Sequence, residues 1–228
     1  SSSLYLENVI ISDGNAVVDD GGAFDGQAEN HTVILDAGTS EVTMKFEVSD
    51  GTLVTVNGKE GAEQKIRLVD GKAELSVMLG REGQTRTYQF SIHTKSSDSS
   101  LSQLQVSFST IVNVFEMEME PAFQPDITEY NSSLFGSGKD REPYYIWPVA
   151  ADSKATVKVT AVYGVEGVRS GQEITPATAV FDDQIRARYK VRPLSETDPA
   201  RICITVTAED GVTTRSYYIN LYLSLIHI

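Results

Sequence analysis

The same sequence pattern occurs twice in this chain of 228 residues. One copy opens with LYLENV at residues 4–9 and closes with RTYQFSI at residues 86–92. The other opens with LSQLQV at residues 101–106 and closes with RSYYINL at residues 215–221. Such a duplication indicates two folding units of similar design, and a chain of this length has room for two ordinary domains.

Apolar and polar residues alternate one by one through both copies. Val42, Met44 and Phe46 fall on one face of an extended chain, with polar residues between them on the other. Residues 202–207 alternate in the same way and place Ile204 inward. Glycine-containing turn signals separate such runs, at residues 49–51, 57–58, 70–71, 82–83 and 209–211. Because helical spacing is missing, the sequence predicts an all-β protein of two tandem antiparallel β-sandwiches.

The boundaries of the two units follow from the polar joint between the repeats. Residues 96–100 contain only Ser and Asp, so we expect a linker there, with domains at residues 1–95 and 101–223. Aligning the repeats leaves 27 extra residues in the second unit, which we expect to form an inserted loop with an added hairpin near residues 163–190. The last five residues, 224–228, resemble translated adapter sequence, and we expect a tail there whose native origin the sequence leaves open.

Composition excludes several kinds of partner and site. The chain carries 32 acidic and 19 basic residues, a net charge of −13, divided as −7 over residues 1–95 and −6 over the rest. Nucleic-acid binding needs a basic stripe, and neither half of the sequence has one. No apolar run approaches the ~18 residues of a membrane-spanning helix, and no signal segment opens the chain. The single cysteine, Cys203, is expected to pack as a strand residue between Ile202 and Ile204.

Three segments of the second unit carry a family resemblance. They are Leu101-x-x-Leu104-x-Val106, the segment PAFQPDITEY at residues 121–130, and VTAEDG-x-x-x-R-x-Y at residues 206–217. Together they resemble the bacterial cadherin-like β-sandwich domain. The first unit keeps the closing hairpin but lacks the Pro-x-x-x-Pro and tyrosine elements around Phe24. The resemblance implies non-catalytic modules, of immunoglobulin-like or cadherin-like fold, in exported bacterial surface proteins or attached to extracellular enzymes that act on polysaccharides.

Aromatic residues mark a candidate binding face on the second unit. The repeat alignment places Tyr145 and Trp147 where the first unit has outward-facing polar residues, and it does the same for Tyr218 and Tyr222 in the closing strand. Exposed rings suit stacking on sugars or anchoring a protein interface. These four are therefore candidate ligand-binding residues. In the alternative that the sequence leaves open, the insertion covers Trp147 and its neighbours in a secondary core.

Catalytic and metal-binding patterns are missing from the sequence. Acidic pairs at residues 19–20, 182–183 and 209–210 lack the spacing of a calcium loop and are expected to be solvated turn residues. The three histidines are isolated, and neither a nucleophile motif nor a phosphate-binding loop occurs. We therefore expect no metal, no cofactor and no enzymatic activity.

These observations predict spacer and interaction modules of an exported, multidomain bacterial surface protein. Its signal and anchor would lie outside this stretch of chain. Expected partners are other domains of the same chain and a glycan or surface protein, with no nucleic acid and no membrane insertion. The alternative function is an accessory carbohydrate-binding module of an extracellular glycoside hydrolase.

Overall fold

The structure, a computed structural model, describes residues 4–109, 114–133 and 143–222. The chain divides into two compact units, Ser1–Ser96 and Ser97–Ile228. The tail expected at residues 224–228 lies outside the described residues. Within the described ranges, both units consist of strands joined by turns and loops.

The first unit is a sandwich of two sheets. Its strands are β1 (Asn8–Ile11), β2 (Val17–Val18), β3 (Asn30–Leu35), β4 (Glu41–Glu47), β5 (Leu53–Val56), β6 (Lys59–Glu60), β7 (Glu63–Arg67), β8 (Lys72–Arg81) and β9 (Gln84–Thr94). One sheet has the order β1-β4-β7, and the other has the order β2-β3-β9-β8-β5-β6. Their apolar faces meet in one core, in which Phe46 packs edge-on against Phe90 with ring centroids 5.5 Å apart.

The second unit has two five-stranded sheets around its own core. Its strands are β10 (Leu101–Ser109), β11 (Val114–Met117), β12 (Met119–Glu120), β13 (Glu129–Ser133), β14 (Tyr144–Ala150), β15 (Thr156–Tyr163), β16 (Ala177–Phe181), β17 (Gln184–Val191), β18 (Ala200–Thr207) and β19 (Thr214–Tyr222). The first sheet has the order β11-β10-β14-β17-β16, and the second has the order β12-β13-β19-β18-β15. The all-β sandwich class expected from the sequence is confirmed.

The inward register expected for the strands is also confirmed. Val42, Met44 and Phe46 are buried, whereas Lys45 between them is exposed. Ile204 is buried in β18. Cys203 requires a correction, because alternation turns it to the outer face, where it is only half-buried and its Sγ lies 3.6 Å from the Thr205 hydroxyl.

Strand pairing departs from the expectation in one respect. Among the described residues, each sandwich contains one parallel pair, β3 with β9 and β13 with β19. Asn30 lies opposite Gln89 in the first unit, and Glu129 lies opposite Tyr218 in the second. When the two repeats are aligned, the parallel pair has the same register in both units. The two units therefore share a strand arrangement as well as a sequence pattern.

A tyrosine in the closing strand of each unit joins the opening segment to a loop. The Tyr88 hydroxyl accepts a hydrogen bond from the Leu6 N–H (3.0 Å) and donates to the Gly26 carbonyl (2.6 Å). Tyr217 does the same with Leu101 (3.1 Å) and with the Pro125 carbonyl (2.5 Å). We call this arrangement the tyrosine tether. It satisfies a buried backbone donor that has no sheet partner.

Gly26 allows the close approach on which the first tether depends. A Cβ at this position would lie 2.0 Å from the carbonyl oxygen of Leu6, inside any permitted contact. A residue with a side chain would therefore push the opening segment away from the loop.

His31 occupies the place of the tyrosine that the first unit lacks. In the second unit, Phe123 stacks on Tyr130 with centroids 6.0 Å apart, and the Tyr130 hydroxyl bonds to the backbone of Gln124. In the first, Phe24 stacks on buried His31 at 4.6 Å. The His31 ring nitrogens lie 2.7 Å from an Asp19 carboxylate oxygen and 2.7 Å from the Ala28 carbonyl. The aromatic stack is thus kept with a different polar anchor.

Candidate functional site: two outer faces of the second unit

The four aromatic residues singled out in the sequence do not share a face. Tyr145 and Trp147 lie on β14, and Tyr218 and Tyr222 lie on β19, which belongs to the opposite sheet. The expected common face is therefore wrong. Sequence alignment between repeats gives the direction of a side chain within its own sheet, but it does not say which strands become neighbours.

Trp147 is completely buried, although it points away from the main core. Tyr144 and Ile146 on the same strand face that core, so Trp147 is on the outer side of its sheet. The β16–β17 hairpin covers it, with the Phe181 ring 5.1 Å from the indole. The indole N–H donates to the Ser107 hydroxyl at 2.7 Å. Of the two alternatives left open by the sequence, the secondary core is the one formed.

Arg186 is the polar centre of this secondary core. One of its terminal nitrogens donates both to the Trp147 carbonyl (2.7 Å) and to the Gln105 side-chain oxygen (2.6 Å). The guanidinium also lies over the Phe181 ring, 4.9 Å from its centroid. Burial lowers the pKa of Arg186, while the carboxylates of Asp182 and Glu116 act in the opposite direction. The group remains a cation, held by stacking and hydrogen bonds.

Arg188 extends the same arrangement toward the surface. Its guanidinium lies 4.3 Å from the Tyr145 ring centroid and 5.7 Å from that of Trp147. We call Tyr145, Trp147, Phe181, Arg186 and Arg188 the arginine–aromatic cluster. Its ring faces are occupied by guanidinium groups and by each other, so the cluster is built for packing more than for stacking on a ligand.

The outer face of the opposite sheet carries the other aromatic candidates. The Arg201 guanidinium lies over the half-buried Tyr218 ring at 4.4 Å and makes two hydrogen bonds to Glu129, the shorter of 2.7 Å. A hydrogen bond with Cys203 raises the pKa of Tyr218, and the charge of Glu129 adds a smaller increase. Hydrogen bonding to Arg201 lowers the pKa of Glu129.

Tyr163 belongs to this face and was missed in the sequence. It lies opposite Arg201 in the β15–β18 pair and is 49% exposed. Strict alternation from buried Val159 and Ala161 would point it inward, but the register shifts between Ala161 and Tyr163. A bulge of this kind reverses the side-chain direction and leaves little trace in a hydrophobic pattern. We call Tyr163, Arg201 and Tyr218 the tyrosine–arginine face.

Tyr222 is half-buried at the end of β19, opposite Ser133. Its carbonyl accepts a hydrogen bond from the Tyr144 hydroxyl, which joins the two sheets at this end of the sandwich. The backbone of Tyr222 therefore has a structural role that does not depend on its side chain.

The acidic pairs form turns. Asp182 and Asp183 connect β16 to β17 with φ values of 48° and 63°, as a type I′ hairpin turn requires. Asp210 accepts hydrogen bonds from the N–H groups of Val212 and Thr213. Within the described ranges, no group of three or more His, Cys, Asp or Glu side chains is arranged to hold a metal ion. The same ranges contain no helix long and apolar enough to cross a membrane.

Comparison with known proteins finds no family and only distant likeness to solved structures. No family model matches the sequence, and no curated protein matches it either. Among solved structures, the titin I-band fragment I67–I69 is 10% identical with a TM-score of 0.40, over 84% of this chain and 62% of that fragment. Rst D1-D2 is 12% identical with a TM-score of 0.38, over 86% of this chain and 96% of that one. A chain of the complex of Dpr2 Ig1-Ig2 with DIP-Theta Ig1-Ig3 is 11% identical with a TM-score of 0.35, over 97% of this chain and 66% of that one.

The chain spans less than two thirds of the titin fragment and of the chain it matches in the Dpr2–DIP-Theta complex. Its own strand order and cores define its class. The protein is an all-β tandem of two immunoglobulin-like β-sandwiches.

Proposed function

We propose that the two sandwiches are cadherin-like spacer and interaction modules of an exported, multidomain bacterial surface protein. They perform no catalysis of their own and hold other domains of the same chain at a distance from the cell wall.

The tyrosine tether is the observation that carries this proposal. The same two hydrogen bonds close both units, and in the second unit Pro125, which accepts from Tyr217, lies within the segment that resembles the cadherin-like family. Arg215 also donates to the Pro125 carbonyl, at 2.9 Å. The resembling residues thus fasten the opening of the sandwich to its closing strand. A module fastened in this way can be repeated along a chain without depending on its neighbours.

Surface display tests the spacer role. The chain is placed between a wall anchor and an epitope tag on a Gram-positive cell, and antibody binding is compared with a tag attached directly to the anchor. We expect higher accessibility of the tag and an intact stalk. Unchanged accessibility or degradation of the stalk would count against the proposal. A variant with both Tyr88→Phe and Tyr217→Phe is the matched control for the tether.

A carbohydrate-binding role is the second candidate, supported by the tyrosine–arginine face. Tyr163 and Tyr218 flank a guanidinium, and Tyr163 leaves about half of its surface to solvent. Rings and cations of this kind recognise sugar faces and acidic or hydroxyl groups. A glycan array with the wild-type chain and with Tyr163→Ala tests it, with Tyr145→Ala in the arginine–aromatic cluster as control. An array on which neither protein binds removes this candidate.

A further inference from the structure

The edge formed by β7 is open in the first unit. β7 is the last strand of its sheet, and within the described residues its only paired strand is β4. Leu68 N–H donates to the Ser40 carbonyl and Phe46 N–H donates to the Ala62 carbonyl, so the even-numbered residues of this segment bond toward β4. In an antiparallel ladder the alternate residues, Glu63, Lys65 and Arg67, then point their N–H and C=O groups outward.

The second unit covers the corresponding edge with its own chain. β17 pairs with β14 there as β7 pairs with β4 in the first unit. β16 pairs with β17 as far as Arg188, and the Glu166 N–H donates to the Arg192 carbonyl at 2.8 Å. Uncovered strand edges accept further strands readily, and proteins usually cover them. The two units therefore differ at this edge: β16 pairs with β17 in the second unit, whereas the corresponding side of β7 in the first unit is unpaired within the described ranges.

A groove of about 430 Å³ runs beside this edge, between β7 and the strands of the facing sheet. Val56, Ile66 and Leu75 supply apolar lining. At ~3.4 Å per residue, the five residues of β7 span about the length of a short peptide strand. None of the residues lining the groove is aromatic, which removes the flat faces that usually bind sugar rings.

Four cations line the groove and give it its charge. Lys59, Lys65, Arg67 and Lys72 are exposed, and none of them makes an ion pair with any residue in the described part of the chain. The one lining carboxylate, Glu74, accepts a hydrogen bond from the Ser91 hydroxyl at 2.8 Å. These cations come from three strands, so no basic stripe is visible in the sequence. Half of the eight basic residues of residues 1–95 meet here, on a chain of net charge −13.

We propose that the edge of β7 binds an acidic, extended peptide segment by strand addition. The outward backbone groups of Lys65 and Arg67 pair with the peptide backbone, and the four cations receive its carboxylates. Backbone pairing supplies affinity, and the charges select acidic sequences and repel basic ones. The acidic surface elsewhere on the chain would turn the same peptide away, so binding is confined to this groove. The proposal does not depend on the spacer role.

Fluorescence anisotropy with the full chain and a labelled peptide of alternating Glu and Thr tests this assignment. At a salt concentration of about 0.05 M we expect saturable binding that weakens as salt is raised. The double variant Lys65→Gln, Arg67→Gln should weaken binding roughly tenfold or more. The double variant Lys158→Gln, Lys190→Gln removes the same charge from exposed positions of the second unit and should leave binding unchanged. Circular dichroism confirms that both variants are folded.

A second peptide separates strand addition from charge attraction. It has the same sequence, with N-methyl groups on the alternate residues whose N–H groups would pair with β7. Because these donors are then lost, we expect binding to disappear. Equal affinity of the methylated and unmethylated peptides would overturn strand addition. Tighter binding of polygalacturonate or of a single-stranded oligonucleotide would overturn the choice of ligand, and lack of binding by the unmethylated peptide would overturn the proposal as a whole.

Discussion

Leu101 and Tyr217 are separated by 116 residues, yet the backbone N–H of Leu101 donates a 3.1 Å hydrogen bond to the Tyr217 hydroxyl. The bond is buried, and the same hydroxyl donates onward to the Pro125 carbonyl. One side chain therefore connects the first strand, a loop and the last strand of the second unit. Leu6, Tyr88 and Gly26 repeat the connection in the first unit.

Removing the Tyr217 hydroxyl should destabilise the second unit. Tyr217→Phe leaves the buried Leu101 N–H without its acceptor, and we expect the free energy of unfolding to fall by about 1–3 kcal/mol. Urea denaturation followed by the fluorescence of Trp147, the one tryptophan of the chain, measures this. Tyr163→Phe is the control, and a loss of similar size there would show that the effect is not specific to the tether.

Substitution by alanine should destabilise the protein much more at inward-facing strand residues than at outward-facing ones. Phe46 is 1% exposed and Ile204 is fully buried, so Phe46→Ala and Ile204→Ala should each cost roughly 2–5 kcal/mol. Lys45→Ala, on the outer face between two inward residues, should change the stability by less than about 0.5 kcal/mol. Denaturant melts monitored by circular dichroism give the ranking, and a larger loss at Lys45 than at Phe46 would reverse the register.

Trp147→Ala should be costly, because the indole is packed and hydrogen-bonded. Loss of its contacts with Phe181 and Arg186, together with the bond to Ser107, should lower the free energy of unfolding by about 3–5 kcal/mol. Thermal unfolding followed by far-ultraviolet circular dichroism is suitable, since the fluorophore is lost. An unchanged melting temperature would mean that the cluster is not a core.

The ion pair of the tyrosine–arginine face predicts a pH dependence. Because hydrogen bonding to Arg201 holds the pKa of Glu129 below its ordinary value, about 4.3, folding favours the ionised carboxylate. This stabilisation is present above the ordinary pKa and is lost as pH falls through the lower pKa of the folded state. The pair is partly exposed, so its contribution stays below about 1 kcal/mol.

Unfolding of wild type and of Glu129→Gln near neutral pH and again in strong acid measures that contribution. The wild type should be the more stable at neutral pH, and the difference should vanish in acid. The corresponding change at Glu60, which is exposed in the first unit, should give no difference at either pH. A gap that persists in acid would point to a role of Glu129 other than the ion pair.

Limited proteolysis should cut between Lys95 and Ser100 before it cuts elsewhere. Ser97 and Asp98 are exposed, whereas Lys95 and Leu101 already have hydrogen bonds to Leu35 and Tyr217. A broad-specificity protease, with the fragments identified by mass spectrometry, tests this. Early cleavage inside residues 41–48 would contradict a division into two units.

Local pattern predicts most of the fold. Period-2 alternation gives the inward faces of β4 and β18, and Asn57-Gly58 gives a tight turn because both residues adopt positive φ, 47° and 83°. The tether is carried by Arg-x-Tyr in both closing strands, yet the partners of the tyrosine are 62 to 116 residues away. Such distant partners are set by how the sheets stack, which alternation does not specify.

The candidate site could be predicted only in part, for a related reason. The outward direction of Trp147 follows from alternation, but its burial depends on where the β16–β17 hairpin folds back. The exposure of Tyr163 depends on a single bulge, and the groove beside β7 gathers lysines from three strands. In each case the prediction would need to know which distant segments come together in the fold, and local sequence patterns do not show this.

The parallel pairing of each closing strand has a mechanical consequence. In the first unit, β9 lies between β3 and β8, and the chain leaves it at Thr94 toward the second unit. Tension on that end acts along the strand axis, across which the interstrand hydrogen bonds lie. The hydrogen bonds are then loaded in shear and share the force. If the force acted perpendicular to the strands, the bonds would break one after another. We expect sandwiches loaded in this way to yield one at a time under stretch.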